Sequence, residues 1–376
     1  MKIVADANIP LAEEAFRQFG EIKLIPGRSI TADHVRDADL LLVRSVTPVG
    51  AALLDGSGVR FVGSATIGVD HVDVPYLRER GIAFAYAPGS NANSVAEYVI
   101  AAILALSNRP RERRSLGIIG LGRIGKLVQI KAEALGISVL ANDPPLDRAG
   151  QSGLISLDEL LGTCDIVTCH VPLTAEGADP TFHLLDARRL SGLRLNAVII
   201  NTSRGPVVDN QGLLAALQKG RLAAVLDVWE EEPLPNRQLI KASAIATPHI
   251  AGYSVDGKIE GTRMLYEAAS AFYKCPAKWR PATLASGDAP VPIDPTRTLE
   301  DIAETLVLHA YNIRRDDAAM KALADLSEQE RALAFDGLRT RYPARWEFHH
   351  TRVRLPQNQS RLEDALKRLG FTVDID

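Results

Sequence analysis

Cysteine is scarce in this chain of 376 residues: three occur, Cys164, Cys169 and Cys275, too few for a disulfide framework. The first two lie in the apolar stretch Thr163 to Val171, where, read as one strand, their odd spacing turns the two side chains to opposite faces. The reducing cytoplasm is the expected compartment. A basic excess is also lacking, since 43 Lys and Arg face 46 Asp and Glu for a net charge of −3. Nothing here is built to neutralise a run of phosphates, so nucleic acid is not the expected partner. The start, Met1-Lys2-Ile3-Val4, reads as a strand and not as a charged segment leading into an apolar one. The longest apolar run, Val99 to Leu106, is far short of a membrane span, so no membrane partner is expected. Solenoid repeats and low-complexity tracts are missing too. What is present is 46% apolar and 24% charged residues, the composition of a soluble globular protein, in a length that favours two or three domains.

Short β-branched runs at Lys2–Ala5, Ile22–Ile25, Leu40–Val43, Phe61–Gly63 and Ala83–Ala85 alternate with helical stretches. That alternation predicts a parallel sheet with crossover helices. Asn93 and Ser94 then lead into Val95 to Leu104, an almost wholly apolar helix that must be buried on most sides and reads as a connection between domains. A second alternating series places strands at Leu116–Ile119, Ser138–Ala141, Ile166–Cys169, Ala197–Asn201, Ala223–Leu226 and Ala244–Ala246, a second doubly wound unit. Ser254 to Tyr273 is helical in pattern and is expected to return to the first unit. Prolines 276, 281, 290, 292 and 295 mark a linker. Beyond it, helical patterns at Leu299–Tyr311, Asp317–Leu326 and Leu362–Leu369 and strand-like runs at Trp346–Val353 and Phe371–Ile375 predict a small domain. The expected fold class is α/β, with two Rossmann-like parallel-sheet domains plus a small C-terminal α+β domain. The expected divisions are 1–93 with 254–280, 94–253, a linker over 281–297, and 298–376.

The first chemistry-bearing motif is Gly120-Leu121-Gly122-Arg123-Ile124-Gly125, a G-x-G-x-x-G placed where a predicted strand turns into a helix. Gly120 allows the tight turn, Gly122 lets backbone approach a pyrophosphate, Gly125 allows close helix packing, and the helix opening at Arg123 and Ile124 offers N–H donors. Asp143 ends the next strand, where a carboxylate accepts ribose hydroxyls and repels a 2′-phosphate, so NAD is expected over NADP. The plainer alternative is a glycine-rich turn, with Asp143 capping a helix before Pro144-Pro145.

Three more strand ends carry polar residues: Asn201-Thr202-Ser203-Arg204-Gly205, Asp227-Val228-Trp229-Glu230-Glu231-Glu232-Pro233, and Thr247-Pro248-His249-Ile250-Ala251-Gly252. In an open parallel sheet these ends face the ligand crevice. An arginine fork grips a carboxylate, a histidine exchanges the proton of a hydroxyl, and a carboxylate on the other ring nitrogen orients the imidazole and favours its charged form. Singly, Arg204 also reads as a salt-bridge residue, Glu232 as one of a solvated acidic run, and His249 as a satisfied core histidine. The basic run Arg109, Arg111, Arg113 and Arg114 reads as a solvated turn, and His71 and His170 as loop or strand-end residues.

Taken in order, the glycine motif, Thr202-Ser203-Arg204-Gly205-Pro206-Val207-Val208-Asp209, Asp227 to Pro233 and Pro248 to Gly252 resemble the D-isomer-specific 2-hydroxyacid dehydrogenases over about Met1 to Tyr273. The resemblance places that family's catalytic arginine, glutamate and histidine on Arg204, Glu232 and His249, the glutamate being the one directly before the proline. A narrower likeness runs through Val43 to Thr47, Phe61 to Asp73, Ala87 to Ala92, Ala251 to Ser254 and Tyr342 to Phe348. It points to the branch of the family that oxidises a small phosphorylated hydroxy acid with NAD in pyridoxal phosphate synthesis. It implies a homodimer formed through the C-terminal domain, Ser45, Thr66 and Tyr253 facing substrate, and Val171, Asp227 and Gly252 facing NAD. No metal is implied. Arg44, with Ser45, ends the strand Leu40–Val43 and offers a fork and a hydroxyl to the substrate's phosphate. Two other readings stay open: a dehydrogenase of 3-phosphoglycerate or glycerate, because the trio reports the reaction and not the substrate's tail, and a non-enzymatic NAD-binding corepressor of the same fold.

Overall fold

The computed structural model describes residues 1–106, 115–282 and 289–375, and the chain divides into two compact units, 1–91 with 254–285 and 92–253 with 286–376. The basic run from Arg109 to Arg114 lies outside the described residues.

In the first unit, β1 (Lys2–Asp6), β2 (Glu21–Ile25), β3 (Leu40–Val43), β4 (Phe61–Ser64) and β5 (Ala83–Tyr86) form a parallel sheet in the order β2-β1-β3-β4-β5. The central strands β3 and β4 are buried at every position, which is why they read as continuous apolar runs and not as alternating ones. The helix Val255–Phe272 is capped by the Ser254 hydroxyl, which accepts from the Gly257 N–H at 2.8 Å. Its Leu265, Tyr266 and Ala269 share one apolar cluster with Ile3, Phe16, Leu40 and Phe61.

The second unit holds β6 (Ser115–Ile119), β7 (Ser138–Asn142), β8 (Ile166–Cys169), β9 (Val198–Asn201), β10 (Ala223–Leu226) and β11 (Ile245–Ala246), all parallel, in the order β11-β10-β9-β8-β6-β7. The chain steps from β6 to β7 on one side and returns with β8 on the other, so the strand order reverses at β6. A crevice at that reversal is where ligands bind in open α/β sheets. One local expectation is corrected here: Cys164 is not on the strand with Cys169 but ends the helix Leu157–Thr163, and both thiols lie in the same apolar cluster.

The C-terminal residues form the expected small α+β region, with its own three-stranded sheet, and pack within the second unit. The helix Ala92–Ala105 explains why. Its Tyr98, Ile100 and Ile103 are in one cluster with Ile302, Leu306 and Phe348 of the C-terminal segment as well as Ile118 and Val128 of the Rossmann fold. A helix with apolar neighbours on all sides must itself be apolar nearly all round. The proline-rich stretch is also more than a linker, because Val291–Pro292 forms β12, edge strand of a parallel sheet β12-β13-β14 with β13 (Arg352–Leu355) and β14 (Thr372–Ile375). The strand-like reading of Trp346–Val353 holds only from Arg352; Phe348–His350 is a single 3-10 turn. A helix at Glu328–Thr340 had no counterpart among the expected elements.

Polar side chains are buried at this junction. The Glu347 carboxylate accepts from the Asn93 amide at 2.6 Å and the Ser94 hydroxyl at 2.6 Å, while the Phe348 N–H donates to Glu97 at 3.0 Å. Lys131 donates to the Leu369 carbonyl at 2.6 Å. Arg345, 6% exposed, donates to the carbonyls of Ser94 at 3.0 Å and Ala251 at 2.7 Å, with its guanidinium 4.5 Å from the centre of the Tyr311 ring. Arg345→Met keeps the apolar stem but leaves those carbonyls without a donor, a loss of about 3 kcal/mol. A lower urea midpoint for the second unit is the expected outcome, and an unchanged midpoint would show the network to be energetically idle.

Candidate active site

The glycine loop follows β6. Gly120 has φ +91, and a Cβ there would lie 2.6 Å from the His170 carbonyl oxygen, so neither the conformation nor the space admits a side chain. Its N–H donates to Asn142 at 2.8 Å, tying the turn to β7. The helix Arg123–Ala134 begins at Gly122 with no side-chain cap, so the N–H groups of its first turn, Arg123 and Ile124 among them, are donors for an anion. Gly122 has open space where a Cβ would be, and Gly125 packs against the Gly120 carbonyl.

Asp143 performs the capping expected of the plainer reading and lines the crevice as well. One carboxylate oxygen accepts from the Leu146 N–H at 3.0 Å, and the other from the Leu121 N–H at 2.8 Å, inside the glycine loop. The carboxylate thus holds the loop's shape while keeping lone pairs for further donors. A cavity of about 870 Å³ opens here, lined by Gly120, Gly122, Asp143, His170, Val171 and Thr174, among others. Its volume, the uncapped helix start and the acid on its wall fit a dinucleotide.

The reactive loops follow β9, β10 and β11. Arg204 stands at the end of the β9 loop, and Gly205 after it lies so close to Trp229 and Glu230 that a Cβ would fall 2.0 Å from the Trp229 carbonyl carbon. This contact fixes the arginine loop against the acidic loop, and Arg204 donates to the Ser203 carbonyl at 2.8 Å. The three consecutive glutamates have separate environments. Glu230 pairs with His183 at 2.8 Å and accepts from the Asn210 N–H, and Glu231 is exposed. Glu232 accepts from the Trp229 N–H at 3.0 Å and meets His249 Nδ1 at 2.7 Å. Burial pushes the Glu232 carboxyl up, but the charge and hydrogen bond of His249, the Trp229 N–H and the charge of Arg339 outweigh it and hold the group below its ordinary range.

His249 has φ +59, a left-handed backbone seldom adopted outside glycine. The buried Asp227 keeps it there. Its backbone carbonyl accepts from the His249 N–H at 2.7 Å, and its carboxylate accepts from Thr247 at 2.6 Å and from the N–H groups of Ile250 and Ala251 at 2.8 and 2.9 Å. The Asp227 side chain is therefore turned inward, and Gly252 lies in the turn it shapes. His170, the other histidine of this unit at a strand end, is different: burial drives its pKa down to about 3, and its two nitrogens meet the hydroxyls of Thr168 and Thr202 at 3.0 and 3.4 Å. It is engaged at both ring nitrogens, whereas the pairing of His249 with Glu232 is through Nδ1.

A match to the family described as D-isomer specific 2-hydroxyacid dehydrogenase, NAD binding domain, covers residues 101–251, and a domain of unknown function matches residues 291–370. The chain is similar to the erythronate-4-phosphate dehydrogenase of Salinibacter ruber, 51% identical over 93% of each chain, and to that of Cellvibrio japonicus, 45% identical over 99% of each. The chain belongs to the erythronate-4-phosphate dehydrogenase family. Among solved structures, D-lactate dehydrogenase from Aquifex aeolicus, complexed with NAD and lactic acid, is similar at TM-score 0.60 and 27% identity over 72% of this chain and 95% of that one. The protein is thus an NAD-binding 2-hydroxyacid dehydrogenase.

The remaining candidates are placed as follows. In the first unit Arg44 and Ser45 follow β3, the former half-buried and the latter exposed, and Thr66 follows the neighbouring β4. The Thr66 hydroxyl is within 2.7 Å of Ser64 and donates to the Gly68 carbonyl, and Ser64 is 2.9 Å from His71. Burial lowers the His71 pKa despite the nearby charge of Asp70. Tyr253 in the second unit accepts from Arg339 at 3.3 Å, a partner that sequence reasoning missed because the helix carrying it went unrecognised. The capping pair Ser327 and Glu330 was the available signal for that helix.

Asp143→Ala removes both the loop anchor and the acid. NAD affinity is expected to fall about tenfold, near 1.4 kcal/mol, and preference for NAD over NADP to shrink. Cofactor titration followed by fluorescence checks this, and unchanged constants for both cofactors would remove Asp143 from the site.

Proposed function

We propose that this protein oxidises 4-phospho-D-erythronate to 3-hydroxy-2-oxo-4-phosphobutanoate in pyridoxal 5′-phosphate synthesis. Bound NAD supplies the acceptor for the hydride that leaves C2. His249 takes the C2 hydroxyl proton at Nε2, since Nδ1 is engaged by Glu232. The carboxylate of Glu232 steadies the imidazole and favours the charged form that results. Arg204 holds the substrate carboxylate, while Arg44, Ser45, Thr66 and Tyr253 hold the rest of the substrate, its phosphate included. Gly120, Gly122, Arg123, Ile124, Gly125, Asp143, Val171, Asp227 and Gly252 hold NAD. The protein works as a homodimer in the cytoplasm; among the described residues no helix is long and apolar enough to cross a membrane. The observation that carries the reading is the 2.7 Å pairing of His249 with Glu232 in a chain of this family.

NADH absorbance tests the substrate: 4-phosphoerythronate is expected to turn over, with 3-phosphoglycerate and glycerate far slower, and a reversed order would transfer the protein to another member of the wider family. His249→Asn is expected to lower turnover by ~10²- to 10⁴-fold with NAD binding nearly intact. The pH dependence has a definite sign. Because the Glu232 carboxyl is depressed, its contribution is present above the ordinary carboxylate range and is lost only as pH falls through the depressed value. Glu232→Gln removes the negative charge that favours imidazolium, so the low-pH limb of the oxidation profile is expected to move to lower pH. An unmoved limb would separate Glu232 from proton transfer.

A further inference from the structure

Besides Arg345, the C-terminal segment reaches the reactive loops through Arg339. The helix Glu328–Thr340 opens on a reciprocal cap, Ser327 accepting from the Glu330 N–H while Glu330 accepts from the Ser327 N–H at 3.1 Å. Near its other end, Arg339 lies with its guanidinium carbon 5.9 Å from the ring centre of Phe335, one turn back on the same helix, and 5.9 Å from that of Tyr253. One of its amino groups donates to the Tyr253 hydroxyl at 3.3 Å. Tyr253 in turn meets Tyr342 edge-on at 5.9 Å, and the Tyr342 hydroxyl donates to Asp316 at 2.7 Å. The Arg339 Nε is buried and has no acceptor among the described residues. A half-buried guanidinium whose Nε is closed off from water without an acceptor carries a cost unless something else requires the cation there.

The geometric partner of Arg339 is Tyr253, four residues beyond His249. The charges of Glu232 and Asp336 act on Arg339 as well, and those of His249 and Arg339 act on Glu232. We propose that Arg339 is a positioning residue of the active site, holding Tyr253 by its hydroxyl and ring and placing a fixed positive charge beside the Glu232–His249 pair. The segment matched by a domain of unknown function thereby completes the site. The proposal rests on the reading of Glu232 and His249 as the proton-transfer pair.

Its signature is a pairing of two effects that simple loss of packing does not produce. Arg339→Met removes the cation and the donor, so protonation near Glu232 becomes easier and the low-pH limb of the oxidation profile moves up by about half a unit or more, opposite to Glu232→Gln. The same variant raises KM for 4-phosphoerythronate about tenfold. Arg339→Lys keeps the charge and loses the fork, so KM rises while the limb stays. Tyr253→Phe likewise raises KM without moving the limb. Native KM and native limb in Arg339→Met overturn the proposal, as do equal limb shifts in the Met and Lys variants. If Arg339→Met does not fold, the Lys and Phe variants decide, and native KM in both overturns it. Full turnover in His249→Asn would instead overturn the underlying reading, which keeps the two failures distinct.

Discussion

Asp227 is the residue on which the geometry of the reactive loops depends. A carboxylate buried among apolar strands persists only if its lone pairs are filled by donors. Here Thr247, Ile250 and Ala251, the residues on either side of His249, supply three donors to those lone pairs. Filling them forces the chain to reverse sharply, and the left-handed φ of His249 is the consequence. The imidazole is presented to Glu232 because the backbone beneath it has no other way to satisfy Asp227. Tyr98 extends the chain of hydroxyls, 2.6 Å from Thr247, so the same arrangement is tied into the apolar helix behind it.

The C-terminal segment acts on this loop from the other side. Arg345 takes the Ala251 carbonyl, so the N–H of Ala251 is held by an acid from the sheet and its carbonyl by an arginine from the appended segment. The cost of burying Arg345, Glu97, Lys131 and Glu347 is offset by a network in which these groups find partners, and such networks specify one arrangement over its near alternatives. That is a physical reason for a dehydrogenase fold to carry this segment within its second unit, apart from any part it plays between subunits.

The two parallel sheets were legible because buried parallel strands leave continuous β-branched runs, and the glycine motif because Gly120 and Gly125 each fill places where a side chain has no room. The expected ends of Ile166–Cys169 and Ala223–Leu226 agree with the strands observed. Other features left weaker traces. Asp143 serves as helix cap and as loop anchor at once, and a sequence presents those as competing readings when the geometry combines them. Cys164 was put on a strand because a buried helix end is as apolar as a strand. Val291–Pro292 reads as linker in the sequence because a two-residue edge strand has too little pattern to stand out among prolines. Arg339 left no trace, since one arginine on an amphipathic helix looks the same whether it meets solvent or Tyr253. The separate environments of Glu230, Glu231 and Glu232 were beyond spacing alone, and the choice among them came from the family motif.

The account gives Asp227 the shaping of the His249 loop, and Asp227→Asn tests this most directly when NAD affinity and turnover at saturating NAD are measured on the same preparation. An amide cannot accept from three donors as the carboxylate does, so turnover at saturating NAD is expected to fall by ~10²-fold or more, whatever the variant loses in affinity for NAD. Retained turnover at saturating NAD would separate Asp227 from the placing of His249 and contradict the account.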